Sequence, residues 1–140
     1  MKRIVIIGAG TGGEVIADTL RGYKIIGYID DNVKRENVIY NNIFEFATIN
    51  KNDYAVIISI ASDMKLRKRI YECYKKEGIR FINAIHYSAI IEKNVILGEG
   101  NFIGANTYIG TSSVIGNNNW IAASVKTILT IWAIKKPVAT

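Results

Sequence analysis

Cys73 stands alone among 140 residues, so the chain forms no internal disulfide and no multi-cysteine metal site. It lies beside the apolar stripe of a helical segment, where a small buried hydrophobe is expected. Histidine is equally scarce, with His86 the single copy. Long apolar runs are absent too. Met1-Lys2-Arg3 precedes only four apolar residues before Gly8, too few for the core of a signal peptide. No run approaches the length of a membrane span. The expectation is a cytoplasmic protein with no membrane partner.

What is present is enough for a core. Hydrophobic residues make up 49%, which argues against disorder. The net charge of +6 raises nucleic acid as a partner. The excess is concentrated at Lys65, Arg67, Lys68, Arg69, Lys75 and Lys76, among apolar Leu66, Ile70 and Tyr74 at a spacing of four. A solvated outer helix face is the preferred reading, since no aromatic stacking platform accompanies the charge. No nucleic-acid partner is expected.

The first half alternates strand and helix patterns, which implies a parallel sheet packed by helices. Ile4-Val5-Ile6-Ile7 reads as a strand buried on both faces. Further strands are expected at Ile25–Ile29, Asp53–Ile60 and Arg80–Ile85. A helix is expected over Met64–Glu77, stopped by Gly78. Asn32 to Asn52 is polar and poorly periodic, and reads as loop with a short helix. Between the first strand and a helical pattern at Val15, Ile16 and Leu20 lies Gly8-Ala9-Gly10-Thr11-Gly12-Gly13. Gly8, Gly10 and Gly13 match G-x-G-x-x-G in the strand-to-helix context that gives the motif meaning. Its amides would face a diphosphate at the helix start, the alternative being a purely structural tight turn. Asp30 follows at the end of the second strand, where an acid can accept hydrogen bonds from a ribose or a base. The pattern does not select a nucleotide, and too few residues remain for a second mononucleotide half.

The second half repeats with a period of six. Ile91, Leu97, Ile103, Ile109, Ile115 and Ile121 are each followed by Glu92, Gly98, Gly104, Gly110, Gly116 or Ala122. Four positions after each aliphatic stands Val95, Asn101, Thr107, Ser113, Asn119 or Val125. This period is the signature of a parallel β-helix built from hexapeptides. Three hexapeptides per turn give two coils over 91–126. The corners need unusual backbone angles, for which Gly98, Gly100, Gly104, Asn106, Gly110, Gly116, Asn117 and Asn118 are suited. Thr127 breaks the pattern. Beyond it KTILTIWAIKKPVAT has no six-residue spacing, and reads either as a cap over the open end or as the mark of a cut or shifted reading frame. His86 precedes the repeat with no acid near it in sequence, a setting more usual for a structural histidine than for a base.

Taken together, IVIIGAGTGGEVIAD, IIGYIDD, LRKRIYE and FINAIHYSAII running into VILGEGNFIGANTYIG resemble bacterial sugar O- and N-acetyltransferases of the hexapeptide-repeat superfamily. The similar branch includes sialic acid O-acetyltransferase-like proteins and N-acetyltransferases of UDP- or GDP-linked amino sugars. The resemblance covers Arg3 to Val125. It implies an α/β chain: a small Rossmann-like parallel-sheet domain over 1–85, a short left-handed parallel β-helix over 86–126 and an atypical tail over 127–140. It implies that Gly8, Ala9, Gly10, Thr11, Gly12, Gly13, Asp30 and Asp31 hold the nucleotide of a nucleotide-sugar, UDP-linked by preference. Ala61 and Ser62 would lie beside it. It implies acetyl-CoA as co-substrate, no metal, and a homotrimer with CoA grooves between neighbouring β-helices. The general base of the family is a histidine on later coils, and no histidine follows His86 here. The expectation is a truncated member that keeps nucleotide-sugar binding and has no identified catalytic residue. The competing expectations are an NAD(P)-dependent reductase and a trimeric nucleotide-binding module without catalysis.

Overall fold

A computed structural model of the chain describes residues 3–49 and 53–127. The chain divides into two units, Met1–Ile82 and Asn83–Thr140. Among the described residues no helix is long and apolar enough to cross a membrane.

The first unit is built on a four-stranded parallel sheet. Its strands are β1 (Arg3–Ile7), β2 (Lys24–Ile29), β3 (Val38–Tyr40) and β4 (Ala55–Ile58), in the order β3-β2-β1-β4. The aliphatic runs of β1 and β4 are buried throughout, apart from Arg3 at the start, because both faces are covered. Helices α1 (Thr11–Thr19), α2 (Ile43–Ile49) and α3 (Met64–Lys76) complete the unit. Helix α3 starts at an Asp63 cap, whose side chain accepts from Leu66 N–H at 3.0 Å, and ends just before Gly78 at φ +76°. Tyr74 joins α3 to α2 by donating its hydroxyl to Ile43 O at 2.7 Å.

Three expectations change here. The segment read as loop and short helix also holds β3, a three-residue edge strand with no alternation long enough to notice. Arg80–Ile85 is not a fourth strand of the sheet: Phe81 makes a single bridge to Val56, and Ala84–Ile85 pairs with the second unit instead. The basic helix is not solvated along its whole charged length, because Arg67 is 0% exposed. Leu66, expected in the apolar stripe, is only half-buried, while Arg67, Ile70, Tyr71 and Tyr74 form it. Cys73 is half-buried, not buried.

The second unit is a short parallel β-helix. Its strands are β5 (Ala84–Ile85), β6 (Ile90–Ile91), β7 (Ile96–Leu97), β8 (Phe102–Ile103), β9 (Tyr108–Ile109), β10 (Val114–Ile115), β11 (Trp120–Ile121) and β12 (Lys126–Thr127). They form three parallel sheets, β5-β8-β11, β6-β9-β12 and β7-β10. Three hexapeptides therefore make one turn. Ile103, Ile109, Ile115 and Ile121 fill the axis, with Ile85, Ile91 and Leu97 packed against them. Burial of each such side chain contributes about 1.5–3 kcal/mol. The rungs begin one hexapeptide earlier than the expected Ile91, at Ile85. The ladder also runs on through Thr127, which pairs with Ile109 although its side chain breaks the aliphatic pattern. Residues 128–140, which hold the rest of the expected tail, lie outside the described residues.

The corners follow a different rule from the one expected. Asn94, Gly100, Asn106, Ser112, Asn118 and Ser124 all have positive φ, once every six residues. Gly100, Asn106 and Asn118 are as expected. Gly98 and Gly104 are not in this conformation; they are glycine because a Cβ would sit 2.4 Å from Gly116 O and 2.7 Å from Ala123 N respectively. Gly110, Gly116 and Asn117 do not have positive φ either. Neighbouring coils, not turn angles, set the small residue after the aliphatic at Gly98 and Gly104.

Inside one corner runs an asparagine ladder with an eighteen-residue step. Asn83 Oδ1 accepts from Asn101 N–H at 2.8 Å, and Asn101 Oδ1 from Asn119 N–H at 2.8 Å. Asn83 and Asn101 donate through Nδ2 to Gly98 O and Gly116 O, both at 2.8 Å. Each side chain thus satisfies backbone groups that the turn would otherwise bury unpaired.

Candidate nucleotide site

The site candidates of the first unit gather at the C-terminal ends of β2, β1 and β4. The chain turns to opposite sides of β1 here, the arrangement in which open α/β sheets bind ligands. The first element is the Gly8–Gly13 loop. Gly8 has φ +111°, and a Cβ there would lie 2.4 Å from Ser59 Oγ. A Cβ on Gly13 would lie 2.4 Å from Gly8 O and 3.0 Å from the Tyr28 ring. These two glycines let the loop, α1 and the sheet close on one another. A Cβ on Gly10 would meet nothing within 4 Å. Gly10, Thr11 and half-buried Gly12 face outward at the start of α1.

Gly10 is the N-cap of α1 and no side chain caps it. Helix starts leave backbone N–H groups without intrahelical acceptors, and the helix dipole adds partial positive charge there. Gly10 O accepts from Gly13 N–H at 3.0 Å and Glu14 N–H at 3.3 Å, so the demand lies with the earlier amides.

Asp30 anchors this loop. Its Oδ2 accepts from Ala9 N–H at 2.8 Å, and its Oδ1 from Asn32 and Val33 N–H, both at 2.8 Å. Burial pushes its carboxyl up, but these three amides and the nearby Arg35 charge outweigh that and hold it below the usual range. The expected partner of a ribose or base is therefore already committed to three backbone donors. Asp31 Oδ1 accepts from Ile43 N–H at 2.7 Å, at the start of α2. Ala61 and Ser62 are exposed in the loop between β4 and α3.

A cleft of about 440 Å³ opens beside Asp30, lined by Asp31, Lys34, Arg35, Glu36 and Asn41 among others. Arg35 Nη1 pairs with Glu14 Oε1 at 2.7 Å and so ties the loop after β2 to α1. Both partners are exposed, so the pair is worth at most about 1 kcal/mol.

Three residues here were not singled out from sequence as site residues. Ser59 donates its hydroxyl to Gly8 O at 2.9 Å and Ile7 O at 3.1 Å. Arg35 borders the cleft. Arg67 donates through Nη1 to Ile58 O and Ile60 O, at 2.7 and 3.0 Å. Burial lowers the Arg67 pKa to about 10, which leaves it charged at neutral pH. Only the step of about twenty residues from the glycine loop hinted at any of these contacts, and it pointed to Asp30 alone.

In the second unit, His86 Nδ1 accepts from Ser88 N–H at 3.1 Å and lies 2.7 Å from Ser88 Oγ. Ser88 Oγ in turn accepts from Asn106 N–H at 2.9 Å. Nδ1 is therefore the acceptor nitrogen, and these contacts tie the ring to the turn at Ser88. Among the described residues no group of three His, Cys, Asp or Glu is placed to hold a metal ion.

Residues 3–74 match the PglD N-terminal domain family. That is just over half of the chain, which belongs to this family. The fold is shared with a histidine-to-asparagine variant of perosamine N-acetyltransferase from Caulobacter crescentus, solved in complex with CoA and GDP-perosamine. The two agree with a TM-score of 0.81 at 26% identity, over 90% of this chain and 62% of that one. The acetyltransferase domain of PglB from Neisseria gonorrhoeae FA1090 gives 0.75 at 19% identity, over 90% and 67%. WeeI from Acinetobacter baumannii AYE gives 0.65 at 18% identity, over 90% and 69%. The chain thus spans about six-tenths of the length of the Caulobacter protein.

Proposed function

We propose that the first unit binds the diphosphate of a nucleotide-linked amino sugar, in a protein of the sugar N-acetyltransferase kind. The observation that carries this reading is the uncapped start of α1, with Gly10 open to an approaching ligand and the Gly8–Ala9 peptide held fixed behind it. The cleft bordered by Asp31, Lys34 and Arg35 would take the nucleoside. The Caulobacter relative was solved with GDP-perosamine, while the family resemblance favours a UDP-sugar, so both are candidates. The four-strand sheet offers one mononucleotide half, which fits a nucleoside diphosphate better than a nicotinamide dinucleotide.

In acetyl transfer the sugar amine attacks the thioester carbonyl of acetyl-CoA, a base takes the amine proton, and the C–S bond breaks to release CoA, which leaves protonated as its thiol. His86 lies ahead of the hexapeptide repeat and is tied to Ser88. No other histidine is in the sequence. The 140-residue chain is therefore assigned nucleotide-sugar binding without acetyl transfer.

The β-helix is proposed to join three copies. Ile90, Ile96 and Tyr108 point outward with exposures of 54%, 47% and 36%. Apolar residues on flat sheet faces favour a second sheet as partner.

The test is calorimetric titration of the chain with UDP, GDP, their amino-sugar conjugates and CoA, beside light scattering. Binding of a nucleotide-sugar, no acetyl transfer and a trimer mass are the expected results. Binding of none of the nucleotides would overturn the reading. Turnover with acetyl-CoA would overturn the non-catalytic assignment, and a monomer would overturn the assembly.

A further inference from the structure

Helix α3 carries an arginine where its core-facing stripe would take an apolar residue. The buried positions Arg67, Ile70, Tyr71 and Tyr74 follow the i, i+3, i+4, i+7 pattern of one helix face. Burying a guanidinium carries a desolvation penalty, and well-packed apolar replacements of buried ionic groups are often neutral or stabilising. Packing alone therefore does not select arginine at this position.

Its contacts point elsewhere. Arg67 donates to Ile58 O, at the end of β4, and to Ile60 O, in the loop that follows. These carbonyls flank Ser59. Ser59 N–H donates to Ile7 O at 2.8 Å, and its hydroxyl reaches Gly8 O at 2.9 Å. On the far side of the same peptide, Ala9 N–H is taken by Asp30. Arg67 thus fixes the backbone on both sides of Ser59, and Ser59 carries that constraint by hydrogen bonds to the glycine loop in front of α1. A planar, rigid guanidinium suits the task of holding two carbonyls at a set spacing.

We propose that Arg67 is a positioning residue for the diphosphate cradle: it sets the path of the loop after β4 and, through Ser59, the orientation of the Gly8–Ala9 peptide. This rests on the nucleotide-binding reading above. Arg67 touches no ligand in this scheme, and acts by keeping the cradle in its binding shape before the ligand arrives.

The test compares the full chain with Arg67→Met, Arg67→Lys and Ser59→Ala. Amide hydrogen exchange is read without ligand, and UDP and GDP are titrated by calorimetry. In Arg67→Met the amides of Ala9 and Ser59 should exchange about tenfold faster or more, while those of β1 and α3 keep their protection. Nucleoside diphosphate affinity should fall by a similar factor. Arg67→Lys should recover part of both losses. Unchanged exchange at Ala9 and Ser59, or faster exchange spread evenly over the unit, would overturn the proposal. If Arg67→Met does not fold, Ser59→Ala decides: faster exchange confined to Ala9 supports the chain of contacts, and unchanged exchange there refutes it. If the unaltered chain binds neither nucleotide, the functional reading fails, and the exchange data still judge Arg67.

Discussion

Ser59 and Asp30 hold the two ends of a single peptide group. The Ser59 hydroxyl donates to Gly8 O, and the Asp30 carboxylate accepts from Ala9 N–H. They come from the ends of β4 and β2, the strands on either side of β1. Neither end of that peptide can turn without breaking a hydrogen bond, so Gly8 keeps its positive φ.

Asp30→Asn should damage this arrangement, because an amide nitrogen cannot accept from a backbone N–H. At least one of the three contacts is lost and one donor faces another. Hydrogen bonds to a charged group contribute about 1.5–3 kcal/mol each, so a drop of that order in unfolding free energy is expected by urea titration. The pH dependence has a defined sign. The folded carboxyl lies below its unfolded value of about 4, so its contribution is present above that pH and is lost as pH falls through the folded pKa. Stability of the variant should fall less steeply than that of the unaltered chain below about pH 4.

The glycines of the loop should separate folding from binding. Gly13→Ala forces a Cβ against Gly8 O and should lower stability by about 1–3 kcal/mol. Gly10→Ala meets no protein atom within 4 Å, so its stability loss should be limited to the poorer N-cap, about 1 kcal/mol or less. Its methyl would stand where the diphosphate is proposed to approach, so nucleotide affinity should fall about tenfold, or roughly 1.4 kcal/mol. Thermal unfolding and calorimetry on the same two samples read both effects.

Asn101→Leu should be among the most harmful changes in the β-helix. It removes the acceptor of Asn119 N–H and Nδ2, at 2.8 and 3.0 Å, and the donor to Gly116 O. Each buried group left unpaired costs about 1–3 kcal/mol. Loss of cooperative unfolding in the second unit, with the first unit's circular dichroism retained, is the expected result.

Ser113→Ala should do the opposite. Ser113 is buried and its hydroxyl has no hydrogen-bond partner. Removing it relieves a desolvation penalty at the expense of no bond, so melting temperature should stay level or rise. A fall equivalent to more than about 1 kcal/mol would mean that the hydroxyl has a role in the folded state.

How much of this was legible in the sequence depends on how local each signal was. The strand of Ile4–Ile7, the glycine loop and the six-residue period could be read because their causes lie within a few neighbouring residues. Asp30 was placed at the right strand end, but its work was not readable, since Ala9 is 21 positions away. The burial of Arg67 is not legible, because a charged residue in a basic helix reads as solvated, and only the carbonyls of Ile58 and Ile60 explain it. Ser112 and Ser124 adopt positive φ through register with their neighbours in the repeat, and nothing in a serine announces that. β3 is not legible either, because three residues at a sheet edge carry no period.

The asparagine ladder has a bearing on how such a chain can change over time. Each coil offers the next the same mould: a side-chain oxygen awaiting a backbone N–H eighteen residues later. The second unit therefore resembles a crystal growing along one axis, where every new layer meets the same face as the one before. Duplication or deletion of an eighteen-residue block keeps the ladder in register, with an asparagine oxygen facing the N–H one coil on. A shift of register by any other length sets the Asn101 oxygen opposite a residue other than Asn119.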